Sequence, residues 1–139
     1  MNTRAFGSGR PVSLFTLGTM RALNSAAQMA EVLDAAAAAG INHLETAPAY
    51  GPAERFLGEA LRQNSRTGSD HWVITSKLLP GLSFEEGQRR LDQILERLGC
   101  PQLDNLAIHG INREEHLDWA LVGDCLLYTS PSPRDEALS

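Results

Sequence analysis

The chain has 139 residues, a hydrophobic content of 42%, a charged content of 21% and a formal net charge of −5, the ordinary proportions of one globular domain or part of one. No basic stripe is present to neutralise phosphates, which excludes a nucleic-acid or anionic-membrane surface. No apolar run reaches the ~18 residues of a membrane helix, the N-terminus lacks a signal peptide's apolar stretch, and two cysteines, Cys100 and Cys125, make no disulfide framework and suit a reducing, cytoplasmic setting.

The first ten residues, MNTRAFGSGR, read as a short ribbon turning at Gly7-Ser8-Gly9, and 12–17 as a strand closed by Gly18. Ser25 followed by Gln28 is a capping-box start. The alanine-rich helix it opens runs to Ala39 and stops at Gly40, where a C′ glycine belongs. A second strand is expected over 42–46. Pro52 suits the first turn of the next helix, whose apolar positions Leu57, Ala60 and Leu61 recur at helical spacing. A third strand is expected over 72–76. Ser83 with Glu86 is a second capping box, and its helix presents Leu91, Ile94, Leu95 and Leu98 before Gly99. A fourth strand is expected over 103–108. Asn112 with Glu115 then caps a helix running to about Leu121.

Strand and helix thus alternate four times, which implies a parallel sheet with right-handed crossovers. A doubly wound sheet and a (β/α)₈ barrel of the TIM type both fit. The first is weakened because LGTMRALNS, after the first strand, holds one glycine and no phosphate loop. The second is strengthened because the polar candidates stand at strand C-terminal ends, where barrel enzymes keep their chemistry. A complete barrel takes ~250 residues, so four units make half of one.

Four of those strand-end residues form a chemical set: Glu45, Tyr50, Lys77 and His109. A tyrosine is a poor acid at its ordinary pKa of about 10. A neighbouring lysine cation lowers that value, a carboxylate holds the lysine, and a histidine can hydrogen-bond a substrate oxygen. His43, two residues before Glu45, shares its face one layer deeper and reads as interior structure. His71 and His116 read as surface residues. No histidine pair has a third ligand in metal-binding context, so no metal site is expected. Glu54, in the first turn after Pro52, reads as favouring its helix dipole.

The segments LGTM (17–20), GINHLETAPAYGPAERFLGEAL (40–61), VITSK (73–77) and LDNLAIHG (103–110) arrive in an order and spacing that resemble the N-terminal half of an aldo-keto reductase. The resemblance spans 12–120. It implies a (β/α)₈ barrel, a nicotinamide cofactor (usually NADPH, with NADH open) and reversible reduction of a small aldehyde or ketone substrate. By the same resemblance Tyr50 matches the proton donor, Lys77 its pKa-lowering partner and His109 the residue orienting the carbonyl. Glu45 stands where the family usually has aspartate; the extra methylene adds roughly 1.5 Å of reach. Thr19, Met20 and Glu45 match positions bordering the nicotinamide and its ribose. The family's stacking aromatic, carboxamide contacts and adenosine-phosphate site belong to its second half. Two other readings stand beside this one, a Schiff-base lyase using Lys77 and a non-catalytic, associating fragment.

After Asp124 the character changes to CLLYTSPSPRDEALS. Residues 125–135 back-translate into a sequence resembling a transposase sequencing adaptor read in frame. The expectation is therefore a native half-barrel over 1–124, a non-native tail over 125–139, and a gene that continued past Asp124. Four strands without the other four should open the inward faces at His43, Val73, Thr75 and Ala107 to water. The chain alone is then expected to be aggregated, dimeric or molten, inactive, and unable to bind NADPH.

Overall fold

The computed structural model describes residues 2–6, 9–21, 24–63 and 69–122. Its elements in chain order are β1 (Thr3–Arg4), β2 (Val12–Ser13), β3 (Thr16–Gly18), α1 (Ala26–Ala38), β4 (His43–Glu45), α2 (Ala53–Gln63), a 3₁₀ turn (Ser69–His71), β5 (Val73–Leu78), α3 (Phe84–Leu98), β6 (Asn105–Ile108) and α4 (Glu114–Val122). β1 and β2 form a separate antiparallel ribbon. The other strands form one parallel sheet in the order β3-β4-β5-β6. Four βα units laid side by side in sequence order are half of a (β/α)₈ barrel.

Alternation along the strands sorts the residues into two faces. Leu44, Ile74 and Leu78 face the helices and join Met29, Leu33, Leu57, Ile94 and Leu98 in one buried core. Each such side chain contributes roughly 1.5–3 kcal/mol when removed from water. The other face carries Gly18, Glu45, Thr75 and Asn105 in one register row, with Lys77 beside Ala107 in the next.

The helix ends follow local sequence chemistry. Ser83 and Glu86 complete a capping box, and α3 ends on Gly99 at φ 67°, a left-handed position that glycine adopts without steric cost. Ser25 accepts from the Gln28 N–H as expected, but Gln28 Oε1 is buried without a partner, so that box is only half made. The first turn of α4 is anchored on the Arg113 carbonyl, which accepts from the His116 and Leu117 N–H groups, rather than on Asn112.

Several expected boundaries move. The single strand over 12–17 is two, because the chain bends at Leu14 and Phe15 and hands Val12–Ser13 to the ribbon. β4 and β6 are shorter than expected, while β5 extends through Leu78 and takes Lys77 inside the strand. The turn at Gly7-Ser8 and the tail over 125–139, with Cys125, lie outside the described residues.

The inward face is also less open than expected. His43, Val73 and Thr75 are buried and Ala107 is partly covered. His43 bridges Thr16 Oγ1 through Nδ1 (2.9 Å) and Thr75 Oγ1 through Nε2 (2.8 Å), and Phe6 lies against its ring at 5.2 Å. Polar side chains that satisfy one another across the strands, with the N-terminal segment over them, cover this layer without the missing half. Arg10 fastens the same end, donating to the Trp72 carbonyl and, at 3.1 Å, to Asp104 Oδ1.

Among the described residues no helix is long and apolar enough to cross a membrane, and no group of three or more His, Cys, Asp or Glu could hold a metal ion.

Candidate active site

Each site residue is set by the strand end before it. Glu45 closes β4 and points inward. Tyr50 follows in the turn 46–52, where its N–H donates to the Ala47 carbonyl (3.0 Å) and its carbonyl accepts from Ala53 (3.2 Å) at the start of α2. Lys77 is the fifth residue of β5, two past inward-facing Thr75. His109 follows β6, and its N–H donates to the Leu78 carbonyl (2.7 Å), which extends the ladder by one step.

These four side chains meet. Lys77 Nζ donates to Tyr50 Oη at 3.0 Å and to the Thr46 carbonyl at 3.1 Å, and it forms an ion pair with Glu45 Oε1. The Tyr50 hydroxyl donates to that same Glu45 oxygen at 3.0 Å. The ammonium lies 4.7 Å from the centre of the Tyr50 ring, close enough for cation–π attraction. His109 meets the Tyr50 ring edge-on, with centroids 5.8 Å apart. Burial pushes the Lys77 ammonium below the usual lysine value, because a low-dielectric setting disfavours its charge. Lys77 and His109 also line a cavity of about 300 Å³ with Pro48, Ala49, Leu79 and Arg90, within the size range of small-molecule sites.

The two candidates after β3 stand differently. Thr19 is buried, and its hydroxyl donates to Thr46 Oγ1 at 2.9 Å. It therefore braces the residue whose carbonyl holds Lys77. Met20 is exposed on the rim.

Two side chains depart from their sequence reading. His71 is half-buried, hydrogen-bonded to the Ile41 carbonyl (3.0 Å) and set edge-on against Trp72. His116 is also half-buried, with Nδ1 covered and unpartnered. His71 occupies a seam between elements, which one-dimensional patterning does not register. Glu54 stands in the first turn of α2 as expected, and it is also 1% exposed and bonded to Ser76 and Arg97. Thr46 was legible only as the residue after Glu45; its carbonyl role is a backbone contact that no side-chain pattern announces.

Three solved structures resemble this chain. A protein from Pseudomonas aeruginosa assigned to the aldo-keto reductases matches with a TM-score of 0.75 at 30% identity, covering 88% of this chain and 50% of its own. A thermostable aldo-keto reductase solved with the inhibitor epalrestat matches at 0.68 and 28%, covering 87% of this chain and 47% of its own. An aldose reductase from Schistosoma japonicum matches at 0.65 and 26%, covering 78% of this chain and 36% of its own. The chain thus spans about half, or less, of the length of the structures it matches. The sequence model of the aldo/keto reductase family matches residues 14–129, most of the chain, and the chain therefore belongs to that family.

Proposed function

We propose that residues 1–124 are the first half of a carbonyl reductase that uses a nicotinamide cofactor, NADPH or NADH, to convert an aldehyde or ketone to an alcohol. The observation that carries this reading is the 3.0 Å contact between Lys77 Nζ and Tyr50 Oη, with Glu45 on both groups and His109 beside the ring. A phenol within hydrogen-bond reach of an ammonium is a proton donor whose phenolate is stabilised as it forms.

Residues that would border the nicotinamide are Thr19, Met20 on the rim and Glu45 inside it, while the rest of a dinucleotide site lies outside this half. When bound, the cofactor supplies the hydride. This chain's residues handle the proton and the carbonyl. His109 hydrogen-bonds the carbonyl oxygen and orients it towards Tyr50. The phenolic hydrogen, which Tyr50 donates to Glu45 Oε1 at rest, turns to the substrate oxygen and neutralises it. Lys77 holds the phenolate, and Glu45 holds Lys77.

The burial that depresses Lys77 also suits a Schiff-base lysine, which is the second reading. Its ammonium is engaged by Glu45, Tyr50 and the Thr46 carbonyl, which favours the reductase. Borohydride trapping with a carbonyl substrate separates the two, since only a lyase leaves a covalent adduct on Lys77. The half-barrel alone is inactive on this reading, and a cytoplasmic setting suits its free Cys100 thiol.

The deciding experiment joins residues 1–124 to the second half of the barrel and follows NADPH oxidation with an aldehyde. Tyr50→Phe keeps the ring and removes the donor. kcat should fall by about 10²–10⁴-fold with cofactor affinity nearly unchanged. A Phe variant with unaltered kcat removes Tyr50 from the acid's role.

A further inference from the structure

The face of β5 opposite the site carries a second ionic cluster. Ser76 is fully buried, and its hydroxyl donates to Glu54 Oε1 at 2.7 Å; Arg97 of α3 donates through Nε to Glu54 Oε2, also at 2.7 Å. Glu54 lies one turn before Gly58, where α2 and α3 approach so closely that a Cβ would run into the Arg97 backbone carbonyl. That close approach is what lets Arg97 reach Glu54. A buried carboxylate is costly unless paired and hydrogen-bonded, and here both oxygens are engaged.

The two ends of this cluster are the two ends of the site. Ser76 is the neighbour of Lys77 in β5, and adjacent strand residues point to opposite faces. Glu54 is the second residue of α2, whose first residue, Ala53, donates to the Tyr50 carbonyl. One buried carboxylate thus joins the strand that carries Lys77 to the turn that carries Tyr50. We propose that Glu54, acting through Ser76, is a positioning residue that holds the Lys77 ammonium against the Tyr50 phenol. The inference rests on the reading of Tyr50 and Lys77 as the reacting pair for its catalytic meaning, but not for its geometry.

Lys77 is the one lysine in the 139-residue sequence, so its titration can be followed alone. The groups that face it are Glu45 from β4, Tyr50 and the Thr46 carbonyl from the turn 46–52, and His109 after β6; Arg90 of α3 lines the same cavity. Carbon-13 at the lysine Cε of the full chain gives one resonance to follow against pH by NMR. Loosening β5 from α2 lets water reach the ammonium, which removes the burial that depresses it. Ser76→Ala and Glu54→Gln should each raise the Lys77 midpoint by about half a pH unit or more towards the ordinary lysine value. Ser76→Thr, which keeps the hydroxyl, should leave it in place. If Glu54→Gln does not fold, Ser76→Ala decides alone. A midpoint unchanged or lowered in Ser76→Ala, even with a reduced melting temperature, makes the cluster a structural staple and overturns the proposal. Failure of the reductase reading would show elsewhere, as no carbonyl reduction by the completed barrel while the Lys77 midpoint still responded to Ser76→Ala.

Discussion

Glu45 Oε1 receives the phenolic hydrogen of Tyr50 at 3.0 Å. The same oxygen forms the ion pair with Lys77, which in turn donates to the phenol oxygen, so carboxylate, ammonium and phenol close a triangle. The family's usual aspartate is shorter by one methylene, roughly 1.5 Å. The longer arm lets this carboxylate touch both members of the acid pair, which ties the resting proton to Glu45 until a carbonyl oxygen competes for it.

The first prediction follows from that triangle. In the completed barrel, Glu45→Gln removes the charge that balances Lys77 and should shift the alkaline limb of the pH–rate profile, where the proton donor is lost. Glu45→Asp keeps the charge, draws back from the phenol and should be milder in both kcat and limb position. A profile unchanged in Glu45→Gln would make this residue structural.

A second prediction concerns acid stability. His43 is enclosed by Thr16, Thr75 and Phe6, and its burial lowers its pKa below 6.5, with Asp104 opposing that shift and Arg4 adding to it. The unfolded chain therefore takes up the proton first as pH falls. Stability from neutral His43 is complete above 6.5 and is lost progressively as pH drops through that value towards the folded pKa. Urea midpoints between roughly pH 7.5 and 5 should show this loss, and His43→Gln should flatten that part of the curve. Identical slopes for the two chains would remove His43 as its source.

The order of strands and helices, the caps at Ser83 and Gly99, and the inward parity of Glu45, Lys77 and His109 were all legible in the sequence, because each depends on local spacing. The meeting of those side chains needed only the parallel sheet as an added premise. Thr19 was matched to a place near the cofactor; that its hydroxyl donates to Thr46 is a pairing across 27 residues that spacing does not reveal. Glu54 was legible as a first-turn residue of α2, but its burial was not, for a similar reason. Its burial depends on the α2–α3 approach at Gly58, and a glycine inside a helical pattern does not say which partner comes close.

That approach gives a third prediction. At Gly58 an added methyl would meet the backbone carbonyls of Arg97 and Leu98, and backbone cannot swing aside as a flexible side chain does. Gly58→Ala should force α2 and α3 apart and cost about 1–3 kcal/mol, the usual range for overpacking, despite alanine's better helix propensity. A denaturant midpoint equal to or above that of the unaltered chain would contradict the close crossing.

The last prediction concerns association. Among the described residues, β3 and β6 each pair on one side only, which leaves both lateral edges of the sheet free, and free edges invite pairing with another chain. Several exposed large apolar side chains adjoin those edge strands in the chain. Leu14 and Phe15 immediately precede β3, Phe15 at 67% exposure, while Ile111, Leu117 and Leu121 follow β6 on α4 and its approach. The inward layer at His43, Val73 and Thr75 is already covered, so the driving force for association lies at the edges and not in an open interior. Residues 1–139 should therefore self-associate, giving a mass above the monomer in sedimentation equilibrium that rises with concentration. Phe15→Lys with Leu117→Lys places a charge near each edge and should shift the chain towards monomer, since edge charges oppose strand addition. Calorimetry on the same chain should show no NADPH binding, because the other half of a dinucleotide site is missing. A unaltered chain that stayed monomeric at tens of micromolar and bound NADPH would show that the edges are protected and that four units suffice.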